Sequence, residues 1–392
     1  MNILEELADP ARISERLEFH RRLVAEAQEA AAICDRVLHG PASWWRNALV
    51  QADGSKTAGM VTVLIERAVV AIQQSPPDAL ALTEIAIELA GTMEADEYPY
   101  AHVQKIRGHA LREQAWVLSC MGRHQQAARL ADLAAMFFEE IPEPLRELGR
   151  LDLVRSNIAR STESYGRAVE YARQAAERFL ACGARTSWLN ARFFEASAHF
   201  SAGEVAKALE IYRSMADGTR LLTQEQRAAR IHNMAACMSA SGRFEEAARL
   251  YARAAAEFER QGATTNRVKC GYSIGFALNE TGKYEEAIAV LLKAEVELDA
   301  LGLGNDAALA ALARVEALLA LGRTYDVAET CRGLVRRFTD AGVKSAAMTA
   351  LAYLRETLAT GHATPASVRH VHDFLRDTTL GTARGFTPYR EV

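Results

Sequence analysis

A repeat with a period of about 40 residues constrains this chain more than any other feature. Its clearest copies are Gly242-Arg243-Phe244-Glu245-Glu246-Ala247 and Gly282-Lys283-Tyr284-Glu285-Glu286-Ala287. A unit of this length cannot bury its apolar face alone, so it must stack on its neighbours as a solenoid. Taking the small residue in the second helix of each hairpin as an anchor gives Ala79, Ala127, Ala168, Ala208, Ala247, Ala287, Val327 and Ser367. Successive anchors are separated by 48, 41, 40, 39, 40, 40 and 40 residues. One helical turn after each anchor come Thr83, Ala131, Ala172, Tyr212, Tyr251, Leu291, Cys331 and Val371. That i, i+4 row is the expected packing stripe of the second helix.

Glycines set the phase. Gly122, Gly203, Gly242, Gly282 and Gly322 stand five residues before an anchor and end the first helix. Gly183, Gly262, Gly302 and Gly342 stand fifteen after one and end the second, with Pro142 in that place after Ala127. Glycine closes a helix readily because it adopts positive φ without steric cost. Gly218 comes only ten residues after Ala208, and Thr223-Gln224-Glu225-Gln226 reads as a capping box. A short second helix and an early start to the next one are expected there.

The pattern predicts an all-α chain. Residues 1–57 form an N-terminal helical cap, with a long amphipathic helix over about 11–38 and Trp44-Trp45 in the connector behind it. Residues 58–380 form an array of about eight helical hairpins, and the tail, 381–392, frays or lies over the last of them. Leu and Ala dominate the apolar 49%, which favours helix over sheet. Net charge is −4 with the two signs mixed, so the basic stripe of a nucleic-acid binder is missing. Cys34, Cys120, Cys182, Cys237, Cys270 and Cys331 are widely spaced, which suggests reduced, mostly buried thiols and neither a zinc site nor a disulfide framework. No signal peptide or membrane span is legible, and the expected location is cytoplasmic.

The Gly-x-[Phe/Tyr]-Glu-Glu-Ala turns at 242–247 and 282–287 resemble the tetratricopeptide repeat (TPR) superfamily, as does the Asn233-Met234-Ala235 run. Ala235 and Gly275 match the small residue of its first helix. The period exceeds the usual 34 residues and is similar to the long-helix variants of kinesin light chains, peptide-pheromone receptors and sensor domains of bacterial transcription activators. The chain is also similar to bacterial signalling-associated TPR proteins, although it lacks the Cys/His cluster of their N-terminal zinc module. The resemblance implies a right-handed superhelical solenoid whose first helices line a concave groove.

Counting back from the anchors places Arg112, Trp116, Asn157, Arg160, Asn190, Phe193, Ser197, His232, Asn233, Lys269, Tyr272, Phe276 and Asn279 in that groove. Amides can bond a peptide backbone, and rings supply large contacts at low entropic cost. Asn233 and Lys269 match two positions of the TPR carboxylate clamp. Ser273, Phe193 and Ser197 stand where the clamp needs Lys, Arg or Asn, so it is incomplete.

Catalytic patterns are weak. Gly54-Ser55-Lys56-Thr57 lacks the spacing of a phosphate-binding loop and reads as a polar turn before a helix. His370 and His372 point about 200° apart on a helix and read as surface histidines. His102 and His109 could share a helix face, but no carboxylate spacing completes a site. The paired glutamates at 245–246 and 285–286 recur with the repeat, as a helix-dipole role requires. The expected function is a non-enzymatic scaffold, without cofactor or metal, that binds a protein or peptide as adaptor or regulator in bacterial signalling. The alternative is a peptide- or ligand-sensing regulatory subunit that controls a separate effector, such as a transcription factor or protease. A hydrolase or nucleotide enzyme on a helical scaffold is the least supported class. Neither direct contact with nucleic acid nor contact with a membrane is expected.

Overall fold

The computed structural model describes residues 10–72, 75–93, 96–215, 222–323, 325–327, 330, 345–379 and 386–389. Every regular element among the described residues is an α-helix. The chain divides into two compact units, Met1–Ala202 and Gly203–Val392.

The first unit contains α1 (Pro10–Val37), α2 (Ala42–Val50), α3 (Ala58–Ala71), α4 (Pro76–Thr92), α5 (Tyr100–Cys120), α6 (His124–Glu139), α7 (Leu145–Ser161), α8 (Tyr165–Ala181) and α9 (Arg185–Ser201). The second contains α10 (Val205–Ser214), α11 (Gln224–Ala240), α12 (Phe244–Arg260), α13 (Thr264–Glu280), α14 (Tyr284–Ala300), α15 (Gly304–Ala320), α16 (Ser345–Ala359) and α17 (Pro365–Thr379). Within each unit most consecutive helices pack on one another, among them α5 on α6, α7 on α8, α11 on α12 and α14 on α15.

The period has a simple origin. Helices α11 to α15 each run for 17 residues and are joined by turns of three. Two such helices with their turns fill 40 residues. In the Ser241-Gly242-Arg243 turn, Gly242 sits at φ 73° and Arg243 N–H donates to the Met238 carbonyl at 2.9 Å. These bonds satisfy carbonyls that the end of α11 would otherwise leave unpaired. Gly342 and Gly218 lie outside the described residues. The long first step, Ala79 to Ala127, is explained by α5, which has 21 residues, and by the seven-residue connection at 93–99.

All eight anchors are buried, at 2% exposure or less. Eleven residues after an anchor come Phe138, Phe179, Phe258 and Leu298, also buried. Phe138 lies against Gly108, where an added Cβ would stand 2.4 Å from the ring. Gly275 likewise leaves room for Leu291. Small residues on first helices thus receive large ones from second helices. Each buried ring contributes about 1.5–3 kcal/mol of transfer free energy.

At the N-terminus, α1 packs across α3, and Gly59 lets the two backbones touch beside Glu26 and Ala27. Tyr98 fixes the crossing by donating to Glu26 Oε1 at 2.9 Å and accepting from Ala58 N–H at 3.2 Å. The connector behind α1 is itself a helix, α2, which buries Trp45 and exposes Trp44. Thr57 caps α3 by accepting from Met60 N–H, so Gly54–Thr57 is a polar helix-start turn.

Two stretches depart from the regular stack. Helix α10 is only ten residues long, and Thr223 and Gln226 then form the expected capping box of α11. Helix α17 packs chiefly against α15 and reaches α13, so the α16–α17 pair is not a further copy of the regular hairpin. Ser367 is buried because it closes a capping box with Thr364. Residues 386–389 lie over this pair: Phe386 packs on Tyr353, His370 and Phe374.

Candidate partner-binding surfaces

The candidate residues all stand on first helices, and they divide between the two units. In the first unit, α5, α7 and α9 lie side by side. Trp116 of α5 and Phe194 of α9 approach with ring centroids 6.3 Å apart, although they come from alternate repeats. Asn157 of α7 donates to Ser119 Oγ of α5 at 3.0 Å, and Arg160 Nη2 donates to Asn157 Oδ1 at 2.9 Å. Trp116, Arg160, Asn190, Phe193 and Ser197 are half-buried on this surface, and Asn157 is buried.

Arg112 is buried in an ionic cluster centred on Glu147 of α7, itself 4% exposed. Glu147 meets Lys105 Nζ at 3.0 Å, His109 Nε2 at 2.7 Å and Arg112 Nη1 at 3.4 Å. Arg112 Nε and Nη2 also both donate to Glu113 Oε1. Burial would raise the Glu147 carboxyl, but the His109 bond and the Lys105 charge outweigh it and hold it below the usual range. Burial lowers the His109 imidazole despite Glu147. The sequence pattern did not reveal this carboxylate partner of His109.

Other buried carboxylates are also paired with arginines. Glu195 is held by Arg173 and Arg192, Glu295 by Arg314, and Glu316 by Arg369. Asp152 is held less closely. Its ion pairs, Arg178 at 3.3 Å and Arg155 at 3.9 Å, are long, and burial pushes its carboxyl up to about 6.

In the second unit the candidates are already engaged. Asn233 donates to the Tyr212 hydroxyl at 3.1 Å. His232 sets its ring edge-on to Tyr251, and burial lowers its imidazole below the usual value. Lys269 pairs with Asp306 at 3.0 Å, and Ser273 donates to the carbonyl of Lys269. Tyr272 hydrogen-bonds His372 Nε2 of α17 at 2.7 Å, and Phe276 stacks on the same imidazole with centroids 5.9 Å apart. Asn279 is buried and donates to the Ala313 carbonyl at 2.7 Å, so it joins α13 to α15 and faces no open groove.

His372 is therefore no surface histidine: it is 1% exposed and sealed under α17. His370 points the other way, to the Thr387 carbonyl at 2.7 Å. No group of three or more His, Cys, Asp or Glu among the described residues could hold a metal ion. Of the cysteines, Cys34, Cys237 and Cys270 are buried, Cys120 and Cys182 are exposed, and Cys331 lies outside the described residues. Burial pushes the Cys34 and Cys237 thiols up to about 11 and Cys270 to about 12, which makes all three poor nucleophiles. No helix among the described residues is long and apolar enough to cross a membrane.

No protein-family model matches this sequence, and no curated protein matches it. Solved structures do share its fold. Aspartyl phosphate phosphatase F from Bacillus subtilis superposes with a TM-score of 0.54 at 15% identity, over 82% of this chain and 84% of its own. A Rap protein complexed with competence and sporulation factor gives a TM-score of 0.51 at 14% identity, over 83% of this chain and 99% of its own. The apo form of the quorum sensor NprR from B. thuringiensis gives 0.51 at 10% identity, over 83% and 95%. The fold is therefore that of the TPR-like helical repeat proteins.

Proposed function

We propose that this chain is a non-enzymatic TPR-type scaffold that binds a protein or peptide as an adaptor or regulator in bacterial signalling. One observation carries the reading. In the second unit the face made by α13 and α15 holds an amphipathic helix, α17, through Tyr272, Phe276, Glu280 and Glu316. The face made by α5, α7 and α9 in the first unit is built from the same first helices. It presents Trp116, Arg160, Asn190 and Phe193, each partly open to solvent. Such a face suits a helix or extended peptide supplied by a partner: rings give area and amides bond the peptide backbone. Two chains of this fold support the assignment, one solved with competence and sporulation factor and one named a quorum sensor. A third is named a phosphatase, so the fold alone does not separate binding from chemistry. The non-enzymatic reading rests on the recurrence of the paired glutamates and on buried polar groups that serve packing.

The sensor alternative draws on α17. A ligand that takes its place on Tyr272 and Phe276 would release a helix to act on an effector.

Site-specific photo-crosslinking tests the location. A photoreactive residue at Asn190 is expected to capture a partner in the source cells, and one at the exposed Glu170 of α8 is not. Equal capture at both positions, or at Glu170 alone, would remove the first-helix face as the site.

A further inference from the structure

A second kind of site lies between α11 and α12 of the second unit. Helices α8 and α12 run for 17 residues, and the last turns of each cover the start of the next first helix. Helix α10 ends at Ser214, about two turns sooner. Beside that end is a cleft of about 440 Å³ between the first turns of α11 and the last turns of α12. Arg230 Nη1 locates it by donating to the Tyr212 carbonyl of α10 at 3.0 Å.

Four arginines line the cleft: Arg227, Arg230, Arg253 and Arg260. Glu257 is the one acid among its described lining residues, and it is taken by Arg260 at 2.6 Å. Arg227 and Arg253 have no acidic partner among the described residues. Arg230 Nε is buried and has no hydrogen-bond partner. Burial, reinforced by the Arg253 charge, pushes the Arg230 guanidinium below its usual value. Among the described residues, the guanidinium groups of Arg227, Arg230 and Arg253 thus line a recess of small-molecule size with no acid paired to them. Such an arrangement is unfavourable for the empty protein, because like charges repel and a buried donor is left unmade.

We propose that this cleft binds a multiply charged oxyanion, namely the phosphate group of a small phosphate ester. Guanidinium forks match phosphate oxygens in bidentate geometry, and three of them neutralise two or more negative charges at once. Gln224 of α11 and Glu257 of α12 line the same cleft and can accept hydrogen bonds from hydroxyl groups of the ester. None of its lining residues is among the partner-binding candidates named above.

The probes are inorganic phosphate and pyrophosphate, titrated into the full chain by calorimetry in chloride buffer at constant ionic strength, with thermal melts alongside. Saturable binding is expected, pyrophosphate tighter than phosphate, with a rise in melting temperature. R227Q/R253Q should weaken binding at least tenfold and leave the phosphate-free melt unchanged or higher, because it removes repulsion. If that variant fails to fold, R227K/R253K keeps the charges, loses the forks and should bind several-fold more weakly. Several results would overturn the proposal: no saturable binding, equal effects of sulfate and phosphate, undiminished affinity in either variant, or an acidic peptide binding more tightly than pyrophosphate.

Discussion

Glu163 shows at the scale of one residue what the turns demand. It stands five residues before Ala168, where other repeats place glycine, and it occupies the left-handed region at φ 58°. Its turn makes the same bonds, Ser164 N–H to the Ala159 carbonyl at 2.8 Å, so the side chain bears the strain alone. A non-glycine residue there costs about 1–2 kcal/mol. Glu163→Gly should therefore stabilise the chain by about 1 kcal/mol in urea denaturation, and Gly242→Ala should destabilise it by a similar amount. Unchanged midpoints in both would show that these turns are unstrained.

Two buried carboxylates should titrate stability in opposite directions. Glu147 has a depressed value in the fold, so its contribution is full above the unfolded value near 4.3 and is lost as pH falls below it. Glu147→Gln should cost about 1.5–3 kcal/mol at neutral pH, because it removes the charged acceptor that His109, Lys105 and Arg112 share, and less in acid. Asp152 rises to about 6, so the folded chain holds its proton more tightly than the unfolded chain. Stability then falls as pH rises from about 4 to 6, by about 3 kcal/mol from this group. Asp152→Asn should remove that fall and raise stability at pH 7. Denaturant titrations at pH 2.5, 4, 5.5 and 7 check both signs. Neither behaviour was legible in the sequence, where a buried acid cannot be told from a solvated one until its neighbours are known.

At the scale of elements, the anchors were legible because each small residue has one geometric reason to recur, the close approach of a second helix. The boundaries of α10 and the capping box at Thr223 were legible for the same kind of local reason. Ser367 shows where this logic ends. A small buried residue at the right spacing can be buried by its own cap, and α17 then turns onto α15 and α13. Long-range pairing such as Tyr272 with His372, 100 residues apart, leaves no local signal. Helix α17 buries Val368, Val371 and Leu375, and Arg369 pins it by bonding the buried Glu316 and pairing with Glu280 at 3.1 Å. Arg369→Ala should cost about 2–3 kcal/mol and lower hydrogen-exchange protection in α17 well before that in α12. Uniform loss of protection would show that α17 does not open on its own.

For the whole molecule, the repeat dictated the all-helical TPR-like fold, and the comparisons with solved structures agree with it. The candidate surface was only partly legible. Counting from the anchors found the first-helix faces, but it could not show that Arg112 is locked to Glu147 or that Asn279 joins two helices. The most direct measurement is a calorimetric titration of the isolated partner against the full chain and its Arg160→Glu/Asn190→Ala variant. Both side chains are half-buried and Arg160 gives up its bond to Asn157, so the unfolding free energy should fall by about 1 kcal/mol at most and the variant stays folded. The account predicts at least a tenfold loss of affinity with the fold preserved. Unchanged affinity would contradict the claim that the α5–α7–α9 face receives the partner.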